Sequence, residues 1–172
     1  MKILKFLSAV LIGSTLVFTS CKKDNGDAQE NLNVVKLKIG NTTFTWSDTD
    51  GIGSGKAPVI DTIRLTPNAS GDFTIDILDG SVTPAKDYTA EIIAEKDAHL
   101  FVLTVKTANL TPSALSIDSK SKAFAQSGKM TAGAASTGTL QIVLKHEPDK
   151  AAANPAATGE TDIDVVFPVV IK

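Results

Sequence analysis

Residues Ile163-Asp164-Val165-Val166-Phe167-Pro168-Val169-Val170-Ile171 decide the fold. Ile163, Val165, Phe167, Val169 and Ile171 fall on every second position, and a strand sends alternate side chains to opposite faces. A ribbon patterned this way is stable only when a second layer covers its apolar face. The same period recurs outward from this stretch. Leu140, Ile142 and Leu144 share a face within residues 139–146, Val35, Leu37 and Ile39 alternate with Lys36 and Lys38, and Phe73, Ile75 and Ile77 interleave with Thr74 and Asp76. Gly40-Asn41 reads as a hairpin turn leading into residues 42–46. Residues 59–66 form a further strand, and 100–107, apolar on both faces, read as a central one. Residues 115–118 and 123–126 are weaker strand segments. Thr83-Pro84 has the form of a helix start, and Tyr88 and Ile92 share a helical face, which predicts a short helix over 84–96. Tyr88-Thr89-Ala90-Glu91-Ile92 also alternates as a strand would. The expected fold is mainly β: an antiparallel β-sandwich, immunoglobulin-like in architecture, with one short helix. The Cys…Trp…Cys spacing of a true immunoglobulin domain is absent.

The amino terminus obeys different rules. Met1-Lys2-Ile3-Leu4-Lys5 is a basic leader, and residues 6–18 carry no charge. At about 1.5 Å per residue that run covers about 20 Å, short of a hydrocarbon core of roughly 30 Å, so it fits a signal peptide better than a permanent span. Phe18-Thr19-Ser20-Cys21 resembles a bacterial lipobox, with phenylalanine where an aliphatic residue is usual. That resemblance implies cleavage before Cys21 and its acylation with palmitate-like chains. One chain holds a protein to a bilayer only marginally, whereas several give stable attachment. The expected organisation is a lipoprotein signal peptide over 1–20, a lipidated cysteine and flexible tether over 21–33, and a β-sandwich domain over 34–172.

Composition removes several function classes. The 172 residues hold 17 basic and 19 acidic side chains, for a formal net charge of −2, and loss of Lys2 and Lys5 makes the remainder more acidic. Nucleic-acid binding calls for the opposite sign. A single cysteine excludes an internal disulfide framework, a CxxC redox pair and a cysteine-rich zinc site. There is no GxSxG elbow, and the Gly51-Ile52-Gly53-Ser54-Gly55-Lys56 run lacks the residues of a phosphate loop, with Asp50 and Ala57 at the positions that would need glycine and a hydroxyl. No catalytic residues are assigned, and the chain reads as non-enzymatic.

Two constellations retain chemical interest. His99 opens one strand and His146 closes another, each on its strand's apolar face. If those strands run antiparallel in one sheet, or face each other across the sandwich in opposite senses, both imidazoles meet at one end of the domain, where Glu95, Asp97, Glu147 and Asp149 are close in sequence. Two imidazoles with a carboxylate suit a divalent transition ion, so His99, His146, Asp97 and Glu147 are the expected metal ligands, with a metal-dependent hydrolase as the enzymatic alternative. Asp48-Thr49-Asp50-Gly51 resembles the opening of a calcium loop. Isoleucine at 52 and valine at 59 exclude an EF-hand, leaving Asp48 and Asp50 as a looser calcium pair. Trp46 reads as core rather than as a sugar platform.

Asp48-Thr49-Asp50-Gly51, Ala98-His99-Leu100-Phe101, Leu144-Lys145-His146-Glu147-Pro148-Asp149-Lys150 and Gly159-Glu160-Thr161-Asp162-Ile163-Asp164-Val165 together resemble a group of small lipoproteins of Bacteroidota. Lys22-Lys23-Asp24 is similar to the start of mature lipoproteins of that phylum, where a charged segment after the cysteine can direct export to the cell surface. The resemblance implies a lipid-anchored protein of the outer membrane, facing periplasm or cell surface, with no known reaction. It also implies a binding role beside an outer-membrane uptake receptor for nutrients or metals; a purely structural, adhesive surface protein is a separate alternative. Asp61-Thr62-Ile63 resembles the phylum's O-glycosylation pattern, which would place a sugar on Thr62.

Overall fold

A computed structural model of the chain describes residues 31–50 and 55–172. The leader, Cys21, most of the tether and Gly51 to Ser54 lie outside the described residues. The domain is a mainly β, two-layer sandwich. One sheet runs β3-β2-β1-β5-β9-β8, where β1 is Val34–Ile39, β2 Thr42–Ser47, β3 Val59–Ile60, β5 Ser70–Asp79, β8 Leu110–Ser113 and β9 Ser127–Ala132, and the short β6 (Lys86–Asp87) adds to the end of β5. The other runs β4-β11-β10-β7, from Ile63–Leu65, Glu160–Ile171, Ser136–His146 and His99–Lys106.

The alternation of β11 is expressed without a slip from Ile163 to Val169: the apolar positions are buried and Asp164, Val166 and Pro168 are exposed. Leu140, Ile142 and Leu144 of β10 and Val35, Leu37, Ile75 and Ile77 of β1 and β5 close the core against it, all fully buried. Each such side chain contributes about 1.5–3 kcal/mol relative to an exposed one. Pro168, which has no amide hydrogen to donate, sits just before the point where β4 begins to pair with β11, so one side of the strand is free there. The Gly40 hairpin forms as expected, with φ +57° at the turn.

Four expectations change. Residues 59–66 are not one strand: Val59 and Ile60 pair with β2, while Ile63 to Leu65 pair with β11 in the other sheet. The chain crosses between layers at Asp61-Thr62, where the Asp61 carboxylate accepts the Thr45 amide at 2.8 Å. The β4–β11 pairing is parallel, so the second sheet is mixed rather than antiparallel throughout. Among the described residues β7 is an edge strand, paired with β10 alone, and beyond Phe101 its residues are half-buried or exposed, so its apolar composition overstated its depth. The helix is shorter than 84–96. Lys86 and Asp87 are taken into the sheet opposite Asp79 and Leu78, so α1 (Thr89–Ala94) begins only after Tyr88, with the Asp87 carboxylate accepting the Thr89 amide. Residues 115–118 and 123–126 form an irregular double segment held by an Ile117–Ala123 bridge.

Candidate functional site

The antiparallel pairing of β7 with β10 sets His99 directly opposite His146. Their rings stack with centroids 5.0 Å apart and planes 11° from parallel. His99 is buried, at 6% exposure, and His146 is half-buried. The helix end orients the inner ring. After α1 the chain turns tightly, and the Glu95 carbonyl lies 3.1 Å from His99 Nδ1. A carbonyl can only accept, so Nδ1 carries the proton, and in the neutral ring Nε2 holds the lone pair. A backbone carbonyl that holds one ring nitrogen is the usual support for an imidazole that ligates through the other.

On the far side of His146, register places Glu160 of β11 directly opposite. Residues opposite one another on neighbouring strands share a face, so His99, His146 and Glu160 form one row across three strands. The 147–159 connection from β10 packs closely against the end of that strand where it enters β11. Gly159 has φ +67°, and a Cβ there would lie 2.3 Å from the His146 carbonyl oxygen. Beyond Glu160 the ladder shifts register: Thr161 pairs with Lys145 and Ile163 with Leu144, so Asp162 is the extra residue of a β-bulge. Bulges re-aim side chains, and here the bulge brings a carboxylate within electrostatic reach of both imidazoles. Loss of hydration raises the Asp162 carboxyl above its ordinary value; His146 and His99 pull it down, Glu160 pushes it up and Lys145 pulls it down. Lys145 is itself buried, its Nζ donating to Thr161 Oγ1 at 2.9 Å.

Of the two carboxylates expected beside the histidines, Asp97 is engaged elsewhere. Asp97 accepts the Ser119 hydroxyl and, at 2.9 Å, the Ser119 amide, and has Lys120 at 4.0 Å. Those two hydrogen bonds hold its carboxyl below the ordinary value. Glu147 is exposed, its backbone turned to φ +48° as the amide donates to the Ala98 carbonyl. Among the described residues no three His, Cys, Asp or Glu side chains are already gathered to hold a metal ion. Glu160 and Asp162 were missed because only the β10–β11 register and its bulge bring them to the histidines.

A second polar cluster lies beside the first. Lys150 Nζ sits 3.1 Å from Asp118 Oδ2, with side-chain exposures of 8% and 1%, and also donates to the Lys96 carbonyl. Asp118 Oδ1 accepts the amides of Lys120 and Lys122. Burial alone would raise this carboxyl, but the Lys122 amide, the Lys150 ammonium and the Lys120 amide together hold it below its ordinary value.

The two aspartates of the calcium pair differ in surroundings. Asp48 is buried beside Asn33, and among the described residues its Oδ1 and the Asn33 Nδ2 lack hydrogen-bond partners, while Asp50 pairs with Lys56 at 3.6 Å. Gly51 lies outside the described residues. Thr62 is half-buried at the crossing between sheets, and Trp46 packs partly buried against the core. At the other end of the strands, Ile39, Gly40, Leu65 and Met130 line a depression of about 140 Å³, smaller than the roughly 300–1,000 Å³ of most small-molecule sites. The fold and site thus define a β-sandwich protein with a histidine pair at one rim. No protein-family model matches the chain, and neither curated proteins nor solved structures include a significant match to it.

Proposed function

We propose that the chain is a lipid-anchored protein of the bacterial outer membrane whose 34–172 domain is a non-catalytic binding module displayed on a tether. The observation that carries this reading is the uncharged run 6–18, set three residues before the chain's single cysteine, Cys21, and followed by a polar segment that stops where β1 begins at Val34. A leader, an acylation site and a spacer in that order match the needs of surface display: export, more than one acyl chain for stable attachment, and freedom for the domain to meet a partner. The strand loops and the histidine rim supply the binding surface, and an outer-membrane uptake receptor for nutrients or metals is the partner class that the lipoprotein resemblance favours.

Intact mass spectrometry of protein extracted from envelopes tests the anchor. The expected species starts at Cys21 and carries acyl chains, and Cys21→Ser moves the protein to the soluble fraction. An unmodified Cys21 in the envelope-derived protein refutes the anchor.

A further inference from the structure

We infer that the row His99–His146–Glu160 is a binding site for one divalent transition-metal ion of the zinc class. This goes beyond the anchor reading and does not depend on it. Three independent features converge. The two imidazoles are paired at 5.0 Å by strand register, so the backbone fixes their proximity without help from a flexible loop. The inner ring has its Nδ1 proton committed to the Glu95 carbonyl, which leaves Nε2 as the donor a metal needs. The outer ring is half-buried and flanked by Glu160, an exposed residue whose rotatable side chain can turn toward a bound ion.

Donor type selects the ion. Imidazole nitrogens suit zinc, copper and nickel, while calcium and magnesium prefer all-oxygen shells. Two nitrogens and one carboxylate leave a fourth position for water or for a donor from a partner, which suits an ion that is handed on.

Isothermal titration of the purified full chain with zinc chloride at neutral pH is the test, repeated on Cys21→Ser so that anchor and metal are read separately. One ion per chain is expected in both. His146→Ala is the informative variant because that ring is half-buried, and it should weaken binding at least tenfold; His99→Ala removes a buried ring, so its folding is checked by circular dichroism. Glu160→Gln should weaken binding more than Asp162→Asn. Nitrogen-15 spectra of the imidazoles give a second readout: zinc should shift Nε2 of His99 while its Nδ1 proton persists. No saturable uptake of zinc, copper or nickel by the wild-type chain overturns the proposal. So does uptake that His146→Ala leaves within twofold, or zinc binding abolished by Asp48→Asn and not by His146→Ala.

Discussion

Two polar clusters share one rim of this sandwich and differ in how completely they are satisfied. The Asp118–Lys150 cluster is closed. The ammonium has a carboxylate and a carbonyl, the carboxylate has two backbone amides besides, and both side chains are out of water. The histidine row is open. One nitrogen of His99 is held, the outer ring reaches solvent, and Glu160 and Asp162 remain exposed. Both clusters grip the same short connection, since the carbonyls of Glu95 and Lys96 receive His99 and Lys150 in turn. The closed cluster can therefore stiffen the backbone on which the open one depends. A buried polar group without partners is costly, so full satisfaction marks a structural role, whereas unspent donor capacity beside a rigid support marks a place where something else can bind.

Breaking the closed cluster should produce the largest effect. Lys150→Met leaves the Asp118 carboxylate buried without its cation, and the midpoint of thermal unfolding followed by circular dichroism should fall on the order of 10 °C. Acid should erase part of the same contribution. The folded carboxyl of Asp118 lies below its ordinary value, so its contribution to stability is present above that value and is lost as pH falls through the folded pKa. Urea melts of the wild type and Asp118→Asn should therefore differ clearly at pH 7 and converge below the ordinary carboxylate range. Equal gaps at both pH values would contradict the electrostatic account.

The open row sharpens the contrast from the other side. Zinc at a hundredfold excess over its Kd should stabilise the wild-type domain by about 2.7 kcal/mol through mass action, and His146→Ala should cut the gain to about half or less. Without metal, His99→Ala should cost about 1–3 kcal/mol, because it removes a buried ring and its bond to the Glu95 carbonyl, while His146→Ala should stay within about 1 kcal/mol. Chemical denaturation measures both. The smallest effect belongs to Asp97→Asn, which weakens an exposed contact with Ser119 and Lys120 and should move the melting midpoint by no more than about 2 °C.

How far such contrasts can be read without coordinates depends on the element. Ile163 to Ile171 declares its buried face because a period of two has only one physical solution beside a core, and Leu140, Ile142 and Leu144 answer it in the same way. Residues 59–66 conceal a change of sheet, because Asp61 ends one ladder by accepting an amide from β2, a contact between residues sixteen apart. The helix over 84–96 reads too long because local propensity at Thr83-Pro84 says nothing of the strand pairing that claims Lys86 and Asp87. β7 reads too central for a related reason: an apolar run does not say how many neighbours a strand has.

The sequence alone determined the alternating strands, the two-layer β architecture and the placement of both histidines at strand ends, since these follow from local periodicity and from where each apolar run stops. Tertiary structure decided which strands are neighbours, and with that the carboxylates that share the histidine rim. Asp97 is close along the chain yet turned to Ser119, and Glu147 is exposed, while Glu160 and Asp162 arrive through the β10–β11 register and one extra residue in a bulge. Register is a property of two strands and the loop between them, so no single stretch of sequence contains it.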